Sequence, residues 1–98
     1  MNKTFWVYIL KCSDNSFYTG STSNLEKRLS EHQLGNIKGY THTRRPVELV
    51  FSDMFSDYYE AFSAEQQIKG WNRSKKQALI EGDFELLVRL SNHNKINN

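Results

Sequence analysis

Apolar and polar positions along the chain change period several times, and each change marks an element. Phe5 to Cys12 (Phe-Trp-Val-Tyr-Ile-Leu-Lys-Cys) is aromatic and β-branched and predicts a strand. Ser13-Asp14-Asn15-Ser16 has turn chemistry, and Phe17 to Thr22 predicts a second strand pairing antiparallel with the first. Ser23-Asn24-Leu25-Glu26 reads as a capping box. The helix it opens carries Leu25, Leu29 and His32 on one face and stops near Gly35.

Residues 35–46 form a polar loop, and Val47 to Phe51 predicts a third strand. Asp57 caps a helix running to about Trp71; Ser74 and Asp83 cap two shorter ones, Lys75 to Glu81 and Phe84 to Ser91. Asn92 to Asn98 reads as a frayed tail. The order β-β-α-β-α-α-α implies an α+β domain over residues 1–91: a small three-stranded, mostly antiparallel sheet flanked by helices.

At 98 residues, the chain has room for one domain with a modest core. Its net charge of +2 permits a nucleic-acid partner without demanding one. A lone cysteine, Cys12, leaves no intrachain disulfide, so a reducing compartment and a cytoplasmic location are expected; in its apolar strand the thiol reads as structural. No apolar run approaches the ~20 residues of a membrane span.

Three features sit oddly in a purely structural account. Arg28 and His32, spaced i and i+4, border the Leu25/Leu29 stripe, where they could hold a phosphate. The bland alternative is a snorkelling arginine and a satisfied, half-buried histidine. Glu65 shares a helix face with Ala61 and Ile68, where a carboxylate is costly unless paired or metal-bound. Its alternative is an ion pair to Lys69 with Glu65 swung to solvent. Tyr8 and Tyr18 fall on the two hairpin strands, where tyrosine commonly packs. Two basic clusters, Arg44-Arg45 near Tyr40 and His42, and Lys69, Arg73, Lys75 and Lys76 beside Trp71, suit a phosphate backbone and an unstacked base, or equally a solvated face.

The ordered set resembles the GIY-YIG nuclease family. Trp6-Val7-Tyr8 and Tyr18-Thr19-Gly20 resemble its two name motifs; Arg28, His32 and Glu65 follow at similar positions, and the resemblance covers about residues 4 to 81. Arg44-Arg45-Pro46-Val47-Glu48-Leu49-Val50 and Ile68-Lys69-Gly70-Trp71 are similar to stretches of its small single-domain bacterial members. Trp6 stands where the motif has glycine, and Ser21 where some repair nucleases have lysine, which leaves one cation fewer near the phosphate.

The resemblance implies a metal-dependent endonuclease acting on nucleic acid, DNA ahead of RNA. It implies Tyr18 as general base, Tyr8 positioning the water, and Arg28 clamping the phosphate. His32 assists Tyr18 or touches the phosphate, and Gly20 allows close backbone approach. Glu65 holds Mg²⁺ or Mn²⁺. A tyrosine, with an ordinary pKa of about 10, serves as a base only with help from cations or in a concerted transfer. Related nucleases carry separate DNA-binding regions, so a protein partner supplying specificity is expected. The rival readings are a non-cutting nucleic-acid-binding module, and a protein-interaction domain using Phe55, Tyr58, Tyr59 and Phe62; oligomeric state is left open.

Overall fold

The computed structural model describes residues 3–96. Strands β1 (Phe5–Lys11), β2 (Phe17–Thr22) and β3 (Glu48–Phe55) form one antiparallel sheet in the order β2-β1-β3. Helices α1 (Leu25–Leu34), α2 (Tyr58–Lys69), α3 (Arg73–Glu81) and α4 (Phe84–Ile96) complete the expected α+β architecture.

Because β1 is central and covered on both faces, Val7, Tyr8, Ile9 and Leu10 are all buried, and the strand reads as a continuous apolar run without alternation. Val7 and Ile9 point to one side and pack with Ala61 and Ile68 of α2. Tyr8 and Leu10 point to the other and pack with Cys12, Val47, Tyr18, Leu25 and Leu29. Each fully buried aliphatic side chain here stabilises by about 1.5–3 kcal/mol. The sheet therefore separates α1 on one face from α2 on the other, a division that governs the site. Cys12 is buried, as its setting implied, and its thiol pKa is pushed up chiefly by burial.

Several boundaries differ from the sequence expectation. Asn24, not Ser23, caps α1: its backbone is extended and its side chain accepts from the Lys27 N–H at 3.1 Å. Asn72, not Ser74, caps α3 by the same bond to Lys75, so Arg73 and Ser74 lie inside the helix. Asp57 and Asp83 cap as expected, and Gly35 ends α1 with φ 77°, in the left-handed region that glycine tolerates. Strand β3 continues past Phe51 to Phe55 because its partner β1 extends to Phe5, opposite Phe55. A bulge at Val50 interrupts their register. Helix α2 stops at Lys69, two residues short of Trp71. Helix α4 runs to Ile96, through the segment expected to fray from Asn92; Asn97 and Asn98 lie outside the described residues. Among the described residues no helix is long and apolar enough to cross a membrane.

Candidate active site

The hairpin register places Tyr8 opposite Gly20 and Leu10 opposite Tyr18. The Tyr8 ring crosses the strand onto Gly20: a Cβ there would come within 2.5 Å of the Tyr8 hydroxyl oxygen. Gly20 is thus required by a side chain of its own sheet.

The Tyr8 hydroxyl lies 2.9 Å from His32 Nε2, and His32 Nδ1 lies 2.8 Å from Thr41 Oγ1. Tyr8 and His32 are each 1% exposed. Burial drives the Tyr8 pKa well above its ordinary value, with the Tyr18 hydroxyl adding to the rise and the charge and hydrogen bonding of Arg28 opposing it. Burial, then the Arg28 charge, drives His32 below its ordinary value. Both groups are therefore neutral near pH 7. Arg28 offers only donors to Tyr8, so the phenol donates to His32 Nε2, and His32 Nδ1–H donates to Thr41.

Tyr8 is closed off from solvent, and both ring nitrogens of His32 are engaged, by Tyr8 and by Thr41. Together they form a locked layer beneath Tyr18. Tyr18 itself is half-buried, its ring 5.3 Å from His32 and 6.4 Å from Tyr8. Tyr40 stacks on it at 6.0 Å, and the Arg44 guanidinium sits 3.9 Å over Tyr40.

Arg28 is about two-fifths exposed and pairs with Glu31 at 3.2 Å. It lines an open cavity of about 310 Å³ with Thr22, Ser23, Asn24, Lys27 and Glu31, at the N-terminal end of α1. Glu65 arrives from the opposite face of the sheet. It is 8% exposed; its Oε1 accepts from Ser21 Oγ at 2.9 Å and its Oε2 meets Lys69 Nζ at 2.9 Å. The Lys69 pair foreseen as the bland alternative exists, but the carboxylate stays inward instead of swinging to solvent. The two halves reach the edge strand β2 at successive residues, Tyr8 lying against Gly20 and Glu65 accepting from the Ser21 hydroxyl.

The basic clusters are less free than their sequence suggests. Arg44 is bound to Asp14 at 3.1 Å and to the Tyr40 carbonyl at 2.8 Å. Arg45 donates to the His42 carbonyl. Arg73 donates to the Asn15 carbonyl and covers the Phe17 ring at 4.3 Å. Lys75 and Lys76 are half-buried, and burial pulls Lys76 below its ordinary pKa. Sequence reasoning missed Thr41, Tyr40 and Ser21 as partners of His32, Tyr18 and Glu65. The first two lie in an aperiodic loop that offers no signal; of the site's contacts, the Glu65–Lys69 spacing was legible.

Among the described residues no group of three or more His, Cys, Asp or Glu side chains could hold a metal. The donors at hand are the Glu65 carboxylate and the Ser21 hydroxyl, hard oxygens that fit Mg²⁺ when water and substrate oxygens supply the rest. The Lys69 ammonium on Oε2 shows that the position accepts a cation.

A profile of the GIY-YIG catalytic domain matches residues 4–78, and the chain belongs to this nuclease-type family. Among its relatives are UPF0213 proteins. That of Staphylococcus haemolyticus is 50% identical over 76 residues, spanning 78% of this chain and 93% of the relative. UPF0213 protein YazA of Bacillus subtilis is 47% identical over 76 residues, covering 78% and 77%. Two NMR structures are similar. A UPF0213 protein of Bacillus halodurans has TM-score 0.54 and 37% identity, covering 80% of this chain and 83% of that one. A protein of E. faecalis has TM-score 0.59 and 34% identity, covering 88% and 93%.

Proposed function

We propose that this protein is an endonuclease that hydrolyses phosphodiester bonds in nucleic acid, with DNA as the first substrate to test and Mg²⁺ or Mn²⁺ as cofactor. The observation that carries the reading is the meeting, around one sheet edge, of a half-exposed phenol, a half-exposed guanidinium and an inward carboxylate over a locked Tyr8–His32 layer.

Each group has a task. Arg28, beside a cavity at a helix N-terminus, binds a phosphate oxygen and favours the charge that develops there. In a concerted transfer the Tyr18 phenol takes the proton of the attacking water while its own proton passes through solvent to the leaving ester oxygen, as the water oxygen bonds to phosphorus and the ester P–O bond breaks. Tyr8 is excluded as the base because burial holds its proton; it fixes the floor under Tyr18 through His32 and Thr41. Glu65, oriented by Ser21, would hold the divalent ion, which would supply charge neutralisation when bound. Lys75 and Lys76 are the cations left for the flanking backbone, with Arg44, Arg45 and Arg73 contributing only where they exchange an internal partner.

The rival protein-interaction reading draws on Tyr58, Tyr59 and Phe62, which are exposed next to one another on α2. A cleavage screen over single-stranded, nicked, flapped and branched DNA and RNA, with Mg²⁺ or Mn²⁺ against EDTA, decides between them. Metal-dependent product supports the nuclease. Uncut substrates, together with no salt-sensitive binding, support the protein partner.

A further inference from the structure

We infer that Lys69 is an internal competitor for the metal at Glu65, occupying the cation position on that carboxylate until a divalent ion displaces it. The inference rests on the metal-binding role proposed for Glu65 and adds a residue to it.

The two carboxylate oxygens of Glu65 are treated differently. Oε1 is held by a neutral donor, Ser21 Oγ, which belongs to the sheet and cannot neutralise charge. Oε2 is held by Lys69 Nζ at 2.9 Å, one helical turn further along α2. A carboxylate this far from water requires a cation or a proton, and Lys69 supplies the cation. Glu65 cannot leave: its side chain is 10% exposed and anchored by Ser21. Lys69 can, because its side chain is 45% exposed on a flexible stem. The same carboxylate oxygen cannot give full contact to an ammonium and a divalent ion, so binding of one weakens binding of the other.

The arrangement also bears on Ser21, which stands where a lysine would add a cation near the phosphate. Lys69 brings an ammonium to the same carboxylate from the neighbouring helix.

The test uses the full chain without nucleic acid. Mn²⁺ binding is followed by electron paramagnetic resonance and calorimetry in the wild type, Lys69→Met, Lys69→Arg and Glu65→Gln, with thermal unfolding as a check that each is folded. Removing a partly exposed competitor of this kind should tighten Mn²⁺ binding about fivefold in Lys69→Met. Lys69→Arg should bind no more tightly than wild type, and Glu65→Gln should lose the site. Unchanged or weaker Mn²⁺ binding in Lys69→Met, with the site still lost in Glu65→Gln, overturns the competition while leaving Glu65 as the metal ligand. Equal Mn²⁺ binding by wild type and Glu65→Gln removes the metal role itself, and the competition with it.

Discussion

Replacing Tyr8 by phenylalanine deletes one oxygen from the most tightly enclosed part of the molecule and should be far more damaging than the change in size suggests. The ring stays, so the packing against Leu10, Cys12 and Val47 is kept. The loss falls on His32, whose Nε2 has the Tyr8 hydroxyl as its partner and is itself sealed from water. A buried acceptor left without a donor costs about 1–3 kcal/mol. In a domain of this size, about 2 kcal/mol lowers Tm by roughly 10 °C. The pH dependence carries a second signature. The folded Tyr8 pKa is raised above its ordinary 10.0, so the unfolded chain loses the proton first. Its contribution is therefore complete below pH 10 and is lost as pH rises through and beyond that value. Tyr8→Phe should flatten the alkaline arm of the stability curve. Urea unfolding of wild type and variant from pH 7 to 11 measures both effects. A loss under about 0.5 kcal/mol at pH 7, or an unchanged alkaline arm, would refute the buried Tyr8–His32 layer.

Other predictions follow from the same geometry. His32 is lowered below its ordinary 6.5, so the unfolded chain takes up the proton first; stability is full above about pH 6.5 and falls as pH drops through it, and His32→Gln should flatten that acid arm in urea titrations. Gly20→Ala pushes a methyl against the Tyr8 hydroxyl, which His32 holds in place, and should cost about 1–3 kcal/mol in thermal unfolding. Arg28→Ala should abolish cleavage and weaken substrate binding less than it slows the reaction, while Tm moves by only a few degrees, because the exposed pair to Glu31 contributes about 0.5 kcal/mol. An Arg73/Lys75/Lys76 triple alanine variant should flatten the salt dependence of nucleic-acid binding by about two units, since Arg73 is already engaged by Asn15 and Phe17; an unchanged slope takes the cluster out of the interface.

The hairpin, the helix order and the face shared by Ala61, Glu65 and Ile68 were legible because they depend on local periodicity and turn chemistry. The Phe5–Cys12 run, the Ser13–Ser16 turn and the 61/65/68 stripe each carry their own signal. What was not legible depends on partners distant in sequence. Nothing in the loop from Gly35 to Pro46 announces that Thr41 holds His32 or that Tyr40 covers Tyr18. Spacing put Lys69 beside Glu65 but could not say that the carboxylate is anchored from the sheet by Ser21. The cap positions slipped by one or two residues because Asn24 and Asn72 compete with nearby serines, and only the backbone conformation decides between them. The basic clusters misled most, because a charge count is blind to internal carbonyls, carboxylates and rings.

The central claim is that Glu65 serves chemistry rather than packing, and Glu65→Gln tests it most directly. Glutamine keeps the length and can still accept from Ser21, but it gives up the Lys69 ion pair, which should cost only about 1 kcal/mol given the exposure of Lys69. The measurement is the rate of Mg²⁺-dependent cleavage of the best-cut substrate, with Tm recorded on the same samples. The account predicts that cleavage is lost while Tm falls by no more than about 8 °C. Undiminished cleavage by Glu65→Gln, or unfolding of the domain by that single change, contradicts it.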